Sequence, residues 1–257
     1  MKSNDSALSQ NNCDFDKGHN LFIFREIPIL AGITTVDFGD FSQKADNYQR
    51  PQIIAELKMA LQADTAIALR HTHNLQIKLI DNFSYREDYD ADALILLRSG
   101  YSKFNPVIYS ATAGSPVVIL TDAAQTAIAL IYCGWREIYG RLLHAAVVRF
   151  CSAAGIDKKS EIIAWIWPGT CKQCFRVWPD SDIKRFMNTD FPHEKGRIDL
   201  RRMIVDQLLD ANLELPNIRS SSLCAYHSRY GEGFYFFNAY GRTKKTDKNA
   251  VFAKFKD

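Results

Sequence analysis

Residues 116–136 (PVVILTDAAQTAIALIYCGWR) constrain this chain more than any other stretch. Two apolar runs, 117–120 and 127–131, flank a short polar turn carrying Thr121, Asp122 and Gln125. A strand with one face in water alternates polar and apolar residues, so uninterrupted runs predict strands buried on both faces. The second run breaks at Tyr132-Cys133-Gly134-Trp135-Arg136 and passes into a helical pattern. A glycine at a strand-to-helix turn lets backbone or ligand approach closely, and functional groups collect at such strand ends. The plainer alternative is that Gly134 only makes the turn and Trp135 only packs.

Around this centre the pattern is mixed. Strands are expected at 21–29, 66–69, 75–80, 93–97, 106–109, 161–167, 218–223, 234–237 and 250–255. Pro51 opens a helix with an apolar stripe of Ile54, Leu57, Met59 and Leu61. A second helix follows Trp135, carrying Leu143, Val147 and Phe150 and stopping near Gly155. A third is capped by Asp199, with Leu200, Ile204, Leu208 and Leu209 on one face. Residues 32–48 read as a loop, 110–115 as a small-residue segment and 1–20 as a polar, disordered leader. The expected architecture is a single α/β (α+β) domain over 21–257, with a mixed, largely buried sheet core flanked by helices.

With 257 residues, 47% of them hydrophobic, the chain can bury a sizeable core. A net charge of +3 is too small to argue for nucleic acid, and Lys244, Lys245 and Lys248 are diluted by Thr246 and Asp247. The polar start offers no secretory signal, and no apolar run approaches the roughly 18 residues that span a bilayer. Six scattered cysteines in a chain this long read as a reducing, cytoplasmic setting.

Candidate chemistry is sparse. His71 and His73, at a strand end, point to opposite faces if extended, unless the turn rotates one of them. Cys171-Lys172-Gln173-Cys174 is a CxxC that no second CxxC or nearby HxH completes as a zinc site, so a structural use is expected. Cys224 and His227 could form a thiol–imidazole pair. Neither a glycine-rich phosphate loop nor a GxSxG elbow is present. The residues alone indicate a cytoplasmic α/β domain with a site at strand ends near His73 and Trp135.

Several segments, in order, resemble the bacterial multicopper polyphenol oxidase (laccase-domain) family, whose members are described as purine nucleoside phosphorylases. The family pattern runs QxHG, DA, TADCxP, HAGWRG, GP with a cysteine and YxV, then CT, SYRR and TGR. This chain has His71-Thr72-His73-Asn74, Asp92-Ala93, then residues 111–116 (ATAGSP) and 132–137 (YCGWRE). Trp167-Pro168, Cys171, Phe175 and Val177 follow, and Asp199-Leu200 precedes the next helix. Cys224 and residues 236–240 fall where CT and SYRR lie.

The resemblance implies a zinc ion held by the QxH histidine, the ADC cysteine and the HAGW histidine. Here these positions map to His73, Gly114 and Tyr132, and the acidic neighbour of the cysteine maps to Ala113. Glycine has no ligand atom, and a phenol with a pKa near about 10 is a poor zinc ligand at neutral pH. The expectation is a degenerate site: zinc is present only if the site is rebuilt, with His71 or Cys133 as the nearest substitutes. The pocket residues are then His71, Gly114, Tyr132, Cys133 and Trp135, with His73 the one family ligand kept and Arg136 steadying an anion.

Three functions compete. One is a catalytically impaired relative that binds a small molecule or a protein. Another is an active nucleoside phosphorylase or deaminase on a rebuilt metal site, taking a purine nucleoside. The third is a cysteine-dependent hydrolase or deamidase using Cys133 or Cys224. Copper oxidation would need several histidines and a cysteine around one pocket. No nucleic acid or membrane partner is expected, and no protein partner can be named.

Overall fold

Short strands outnumber helices along the chain. The structure, a computed structural model, describes residues 13–42, 49–80, 86–101, 104–176, 193–194, 197–230, 233–234, 236 and 247–256. Strands β1 (Cys13–Asp16), β2 (Leu21–Phe24) and β3 (Leu30–Thr34) precede helix α1 (Gln49–Ala60). Then come β4 (Thr65–Arg70), β5 (Ile77–Ile80), β6 (Asp88–Asp90), β7 (Ala93–Leu97), β8 (Pro106–Thr112), β9 (Val117–Asp122) and β10 (Ala127–Tyr132). Helices α2 (Trp135–Tyr139) and α3 (Leu142–Ala154) lead into β11 (Ile162–Ile166). The short pair β12 (His193–Glu194) and β13 (Arg197–Ile198) precedes α4 (Leu200–Asp210) and β14 (Ile218–Ser220). A second short pair, β15 (Arg229–Tyr230) and β16 (Gly233–Phe234), precedes β17 (Asn249–Lys254).

Two mixed sheets result. One has seven strands in the order β1-β2-β3-β17-β8-β4-β6, the other six in the order β14-β11-β9-β10-β7-β5. The apolar runs 117–120 and 127–131 form the β9–β10 hairpin, paired antiparallel from Ile128↔Thr121 to Tyr132↔Val117. Asp122 makes its turn, accepting from the backbone N–H of Ala124, Thr126 and Ala127.

The hairpin is apolar on both faces because it is covered on both. Val117, Ile119, Ile128 and Leu130 pack against Ile33, Ile67, Ile108 and Val251 of the larger sheet. Val118, Leu120, Ala129 and Ile131 point the other way, onto Leu143, Val147 and Phe150 of α3 and Ile204 and Leu208 of α4. The outer face of the larger sheet, including Ala68, Val107 and Phe252, is covered by Leu57 of α1 and by Leu61 just beyond it. The layers are therefore helix, sheet, sheet, helix, as the alternate burial of successive strand residues requires. Burying a leucine or isoleucine here is worth roughly 1.5–3 kcal/mol.

The single mixed α/β domain agrees with the sequence, and several local expectations need correction. Part of the presumed leader is ordered: Cys13–Asp16 pairs with β2, and the Phe15 ring sits 4.9 Å from that of Phe22. Residues 1–12 lie outside the described residues, as do 43–48, Val177, 237–240, Lys244 and Lys245. The strand expected at 21–29 ends at Phe24, and a separate strand, Leu30–Thr34, runs into the presumed loop through Gly32. Gly32 is needed there for space, since a Cβ would lie 2.1 Å from the Phe252 ring and 2.5 Å from the Phe22 carbonyl oxygen. The segment 110–115 is strand as far as Thr112. Met59 is 72% exposed and Leu209 38%, so neither belongs to its helix's buried stripe. The helix after Trp135 is two helices, broken where Arg141 takes a φ of 55°. At that break Gly140 leaves room for Leu75, whose Cδ1 would be 2.4 Å from a Cβ.

Candidate functional site

The loop after β4 is wrapped around one buried carboxylate. Asp92, at the start of β7, accepts from the backbone N–H of Thr72 and His73 at 2.7 Å, Asn74 at 2.9 Å and Gln76 at 3.2 Å. Burial pushes this carboxyl up, but those four donors outweigh it and leave it below the usual carboxylate range. To offer its N–H groups to a common point the loop turns sharply, and His73 takes a φ of 61°.

That turn rotates the two histidines onto the same side, contrary to the extended expectation. Their ring centroids are 5.1 Å apart. His71 stacks on Tyr132, the last residue of β10, at 4.1 Å with the planes 2° from parallel. Burial, then the charges of Lys248 and His73, pushes His71 down to about 4. The Tyr132 hydroxyl donates to Ser115 Oγ at 2.8 Å.

His73 Nδ1 lies 2.6 Å from Oε1 of Glu137, in the first turn of α2. Glu137 stands at the last position of the HAGWRG-like segment, a glycine in the family pattern. It is 1% exposed, and its Oε2 has no hydrogen-bond partner among the described residues. Gly134 is the residue that admits it: a Cβ there would sit 2.6 Å from Oε2 and 3.0 Å from Tyr132 Cε1. What comes close to Gly134 is thus the chain's own Glu137 and Tyr132 side chains.

The other expected residues do not join a metal centre. Gly114 has a φ of 114°, and its carbonyl accepts from the backbone N–H and the hydroxyl of Thr170. Cys133 is buried in the helix-facing core, on the opposite side of β10 from Tyr132, with Sγ 3.6 Å from the Ile131 carbonyl. Burial drives its thiol far above the ordinary range, which disfavours the thiolate that ligation or attack would need. Arg136 lies over the Trp135 ring, 4.6 Å from its centroid.

Zinc does not fit the inherited position. Of His73, Gly114 and Tyr132, the positions that the family resemblance maps to the zinc ligands, only the imidazole is an ordinary zinc donor, where a catalytic ion needs three donors and an open place. His73, Asp92 and Glu137 do bring ligand atoms within 4.8 Å of one another. Both Asp92 oxygens accept from the loop and His73 Nδ1 lies 2.6 Å from Glu137 Oε1, while Glu137 Oε2 is left without a hydrogen-bond partner among the described residues.

Beside His71 lies a cavity of about 80 Å³ lined by Phe41, Arg50, Arg70, His71, Tyr109 and Lys248, with Ala68, Leu69 and Ala111. Its charged lining is entirely basic. Arg70 is paired with Asp88 and Asp90 at 3.2 and 3.0 Å, and burial pushes Lys248 down, with Asp40 opposing.

A second cluster, at the edge of the six-stranded sheet, corrects the reading of the cysteines. Cys171, Cys174, Cys224 and His227 bring their ligand atoms within 4.8 Å of one another. The CxxC lies beside a CxxH, Cys224 to His227, on the segment that follows β14. Strands β11 and β14 run parallel, with Ile166 opposite Ser220, so both chains leave the sheet at the same end and turn side by side. Cys224 accepts from the N–H of Cys171 at 3.3 Å and of Tyr226 at 3.4 Å. The Cys171 thiol and such backbone donors hold Cys224 down to about 5.

The fold and site together define a two-sheet α/β protein with a histidine–carboxylate–tyrosine cluster where the β4 loop meets the β10–α2 turn. The chain belongs to the family described as multi-copper polyphenol oxidoreductase laccase, whose sequence pattern matches residues 36–247. Among solved structures it is similar to the hypothetical protein YfiH of Bacillus licheniformis, at 18% identity and a TM-score of 0.78, over 96% of this chain and all of that one. YlmD from Geobacillus stearothermophilus gives 16% and 0.76 over the same shares, and NMB0706 of Neisseria meningitidis 17% and 0.69, over 93% and 100%. At these identities the likeness is one of fold. No curated protein matches. No helix among the described residues is long and apolar enough to cross a membrane.

Proposed function

We propose that this protein has given up the zinc-centred nucleoside chemistry implied by its family resemblance and binds a small anionic ligand beside the old site. The observation that carries this reading is Tyr132. It stands where a zinc histidine is expected, its hydroxyl is engaged by Ser115 and its ring is covered by His71. Gly114 offers no thiolate.

The neighbouring cavity gives the ligand its chemistry. Arg50 and Lys248 supply positive charge, the Arg70 charge being met by Asp88 and Asp90, and Phe41 and Tyr109 supply apolar walls. At about 80 Å³ it holds a phosphate- or carboxylate-sized group and not a whole nucleoside, which needs a pocket of several hundred Å³. A ligand would insert its anionic end and leave the rest at the mouth. A hydrolase on Cys224 is disfavoured because that thiol is 1% exposed and engaged with Cys171.

A second reading rests on one observation. His73 is oriented by buried Glu137 and its ring remains partly exposed, the arrangement of a metal-free general base. The two readings separate in one experiment. Protein treated with EDTA is incubated with adenosine and inosine, with and without phosphate, and free base and ammonia are measured. Our proposal expects no product, together with binding of AMP or inorganic phosphate that Lys248→Ala weakens. Turnover abolished by both His73→Ala and Glu137→Gln would establish the second reading and sink the first.

A further inference from the structure

The Cys171, Cys174, Cys224 and His227 cluster lies apart from the His73 pocket and takes no part in the function proposed above. We propose that it is a structural zinc site that clamps the ends of β11 and β14. Three thiolates and one imidazole are a donor set that closes a tetrahedral zinc with no position left for water or substrate. Soft sulfur donors select zinc over the harder divalent ions.

The geometry suits one shared ion. Zinc–sulfur bonds near about 2.3 Å and zinc–nitrogen bonds near about 2.0 Å put tetrahedral ligand atoms roughly 3.5–3.8 Å apart. His227 Nδ1 is 3.8 Å from Cys171 Sγ and 3.2 Å from Cys174 Sγ. Both halves are built as turns that present their side chains to a common point. Phe175 and Cys174 donate backbone N–H to the Cys171 carbonyl, and Ser228 donates to that of Cys224. Ser228 Oγ in turn accepts from the Cys224 N–H at 2.8 Å.

The surroundings match the charge of such a centre. Three thiolates over-neutralise a divalent ion by one charge. Arg201, partly buried, donates to the carbonyl of Leu223 next to Cys224, which places its guanidinium beside the cluster. Outer groups of this kind steady the side chains that hold an ion.

The test uses full-length protein without a histidine tag, purified under reducing conditions and analysed for metal. We expect one zinc per chain, kept in His73→Ala and lost in Cys171→Ser/Cys174→Ser. His227→Cys, which restores a fourth soft donor, should keep it. Cobalt in place of zinc should show the thiolate charge-transfer band and the visible spectrum of a tetrahedral S₃N site. Should the double serine variant fail to fold, the native protein is titrated with a mercurial reagent. Zinc leaving in step with thiol modification supports the site, and thiols that react with no zinc released overturn it. Zinc lost in His73→Ala but retained without Cys171 and Cys174 would overturn it, as would reduced protein that takes up neither zinc nor cobalt.

Discussion

The imidazole of His71 lies flat on the phenol ring of Tyr132, 4.1 Å between centroids. Burial and the neighbouring charges of Lys248 and His73 keep that imidazole neutral down to a pH of about 4, and Asp92 opposes them. An unfolded histidine titrates near about 6.5. The unfolded chain therefore takes up the proton first. This contribution is fully present above about 6.5, falls as the pH drops towards 4 and loses its slope below that. Its ceiling is about 3 kcal/mol. Urea midpoints of the native protein should fall through this window. Those of His71→Phe, which keeps a ring on Tyr132, should fall less; equal slopes would assign the effect to another group.

Asp92 should matter to stability more than any other residue of the site. Asp92→Ala removes the acceptor of four backbone donors and should cost about 2–4 kcal/mol. It should also release His71 from Tyr132, visible as loss of ring-current shifts in the tyrosine resonances. A variant as stable as the native protein would show that the loop has another support.

Rewriting the family residues should not restore their metal. Tyr132→His with Gly114→Cys places two new donors, but position 114 has a φ of 114°, where a side chain is strained by about 1–3 kcal/mol. The double variant should lose stability and bind no more zinc than the native chain. A gain of one ion per chain would refute this.

Gly32→Ala tests the packing behind the site. The added methyl would meet the Phe252 ring and the backbone carbonyl of Phe22, and the backbone cannot yield locally. A loss of about 1–3 kcal/mol is expected from thermal or urea unfolding. An unchanged midpoint would mean that Phe252 repacks freely.

Much of the scaffold is written in local pattern. The β9–β10 runs announce their double burial because every residue is apolar, and Asp199 announces α4 by capping it through the N–H of Arg202. What local pattern cannot carry is a turn whose shape depends on a distant acceptor. The convergence of His71 and His73 depends on Asp92, which the sequence marks only as the residue before a strand and as part of the Asp-Ala pair of the family pattern. Glu137 was equally opaque, since its role exists only once the β4 loop has folded back against α2. The cysteines failed for a topological reason. Each half-motif was visible, but joining them required the parallel pairing of β11 and β14. A bare zinc count would therefore not report on the His73 pocket, because the second cluster could account for the whole of it.

That pairing also fixes an order in time. During synthesis Cys171 and Cys174 emerge well before Cys224 and His227, and at about 5–20 residues per second the intervening stretch takes several seconds to appear. For that interval the first two thiols are adjacent, reduced and without their partners. A nascent chain is then exposed to oxidation between neighbouring cysteines or to capture of a wrong ion by half a site. The completed sheet edge would end that exposure, so the later CxxH would protect the earlier CxxC.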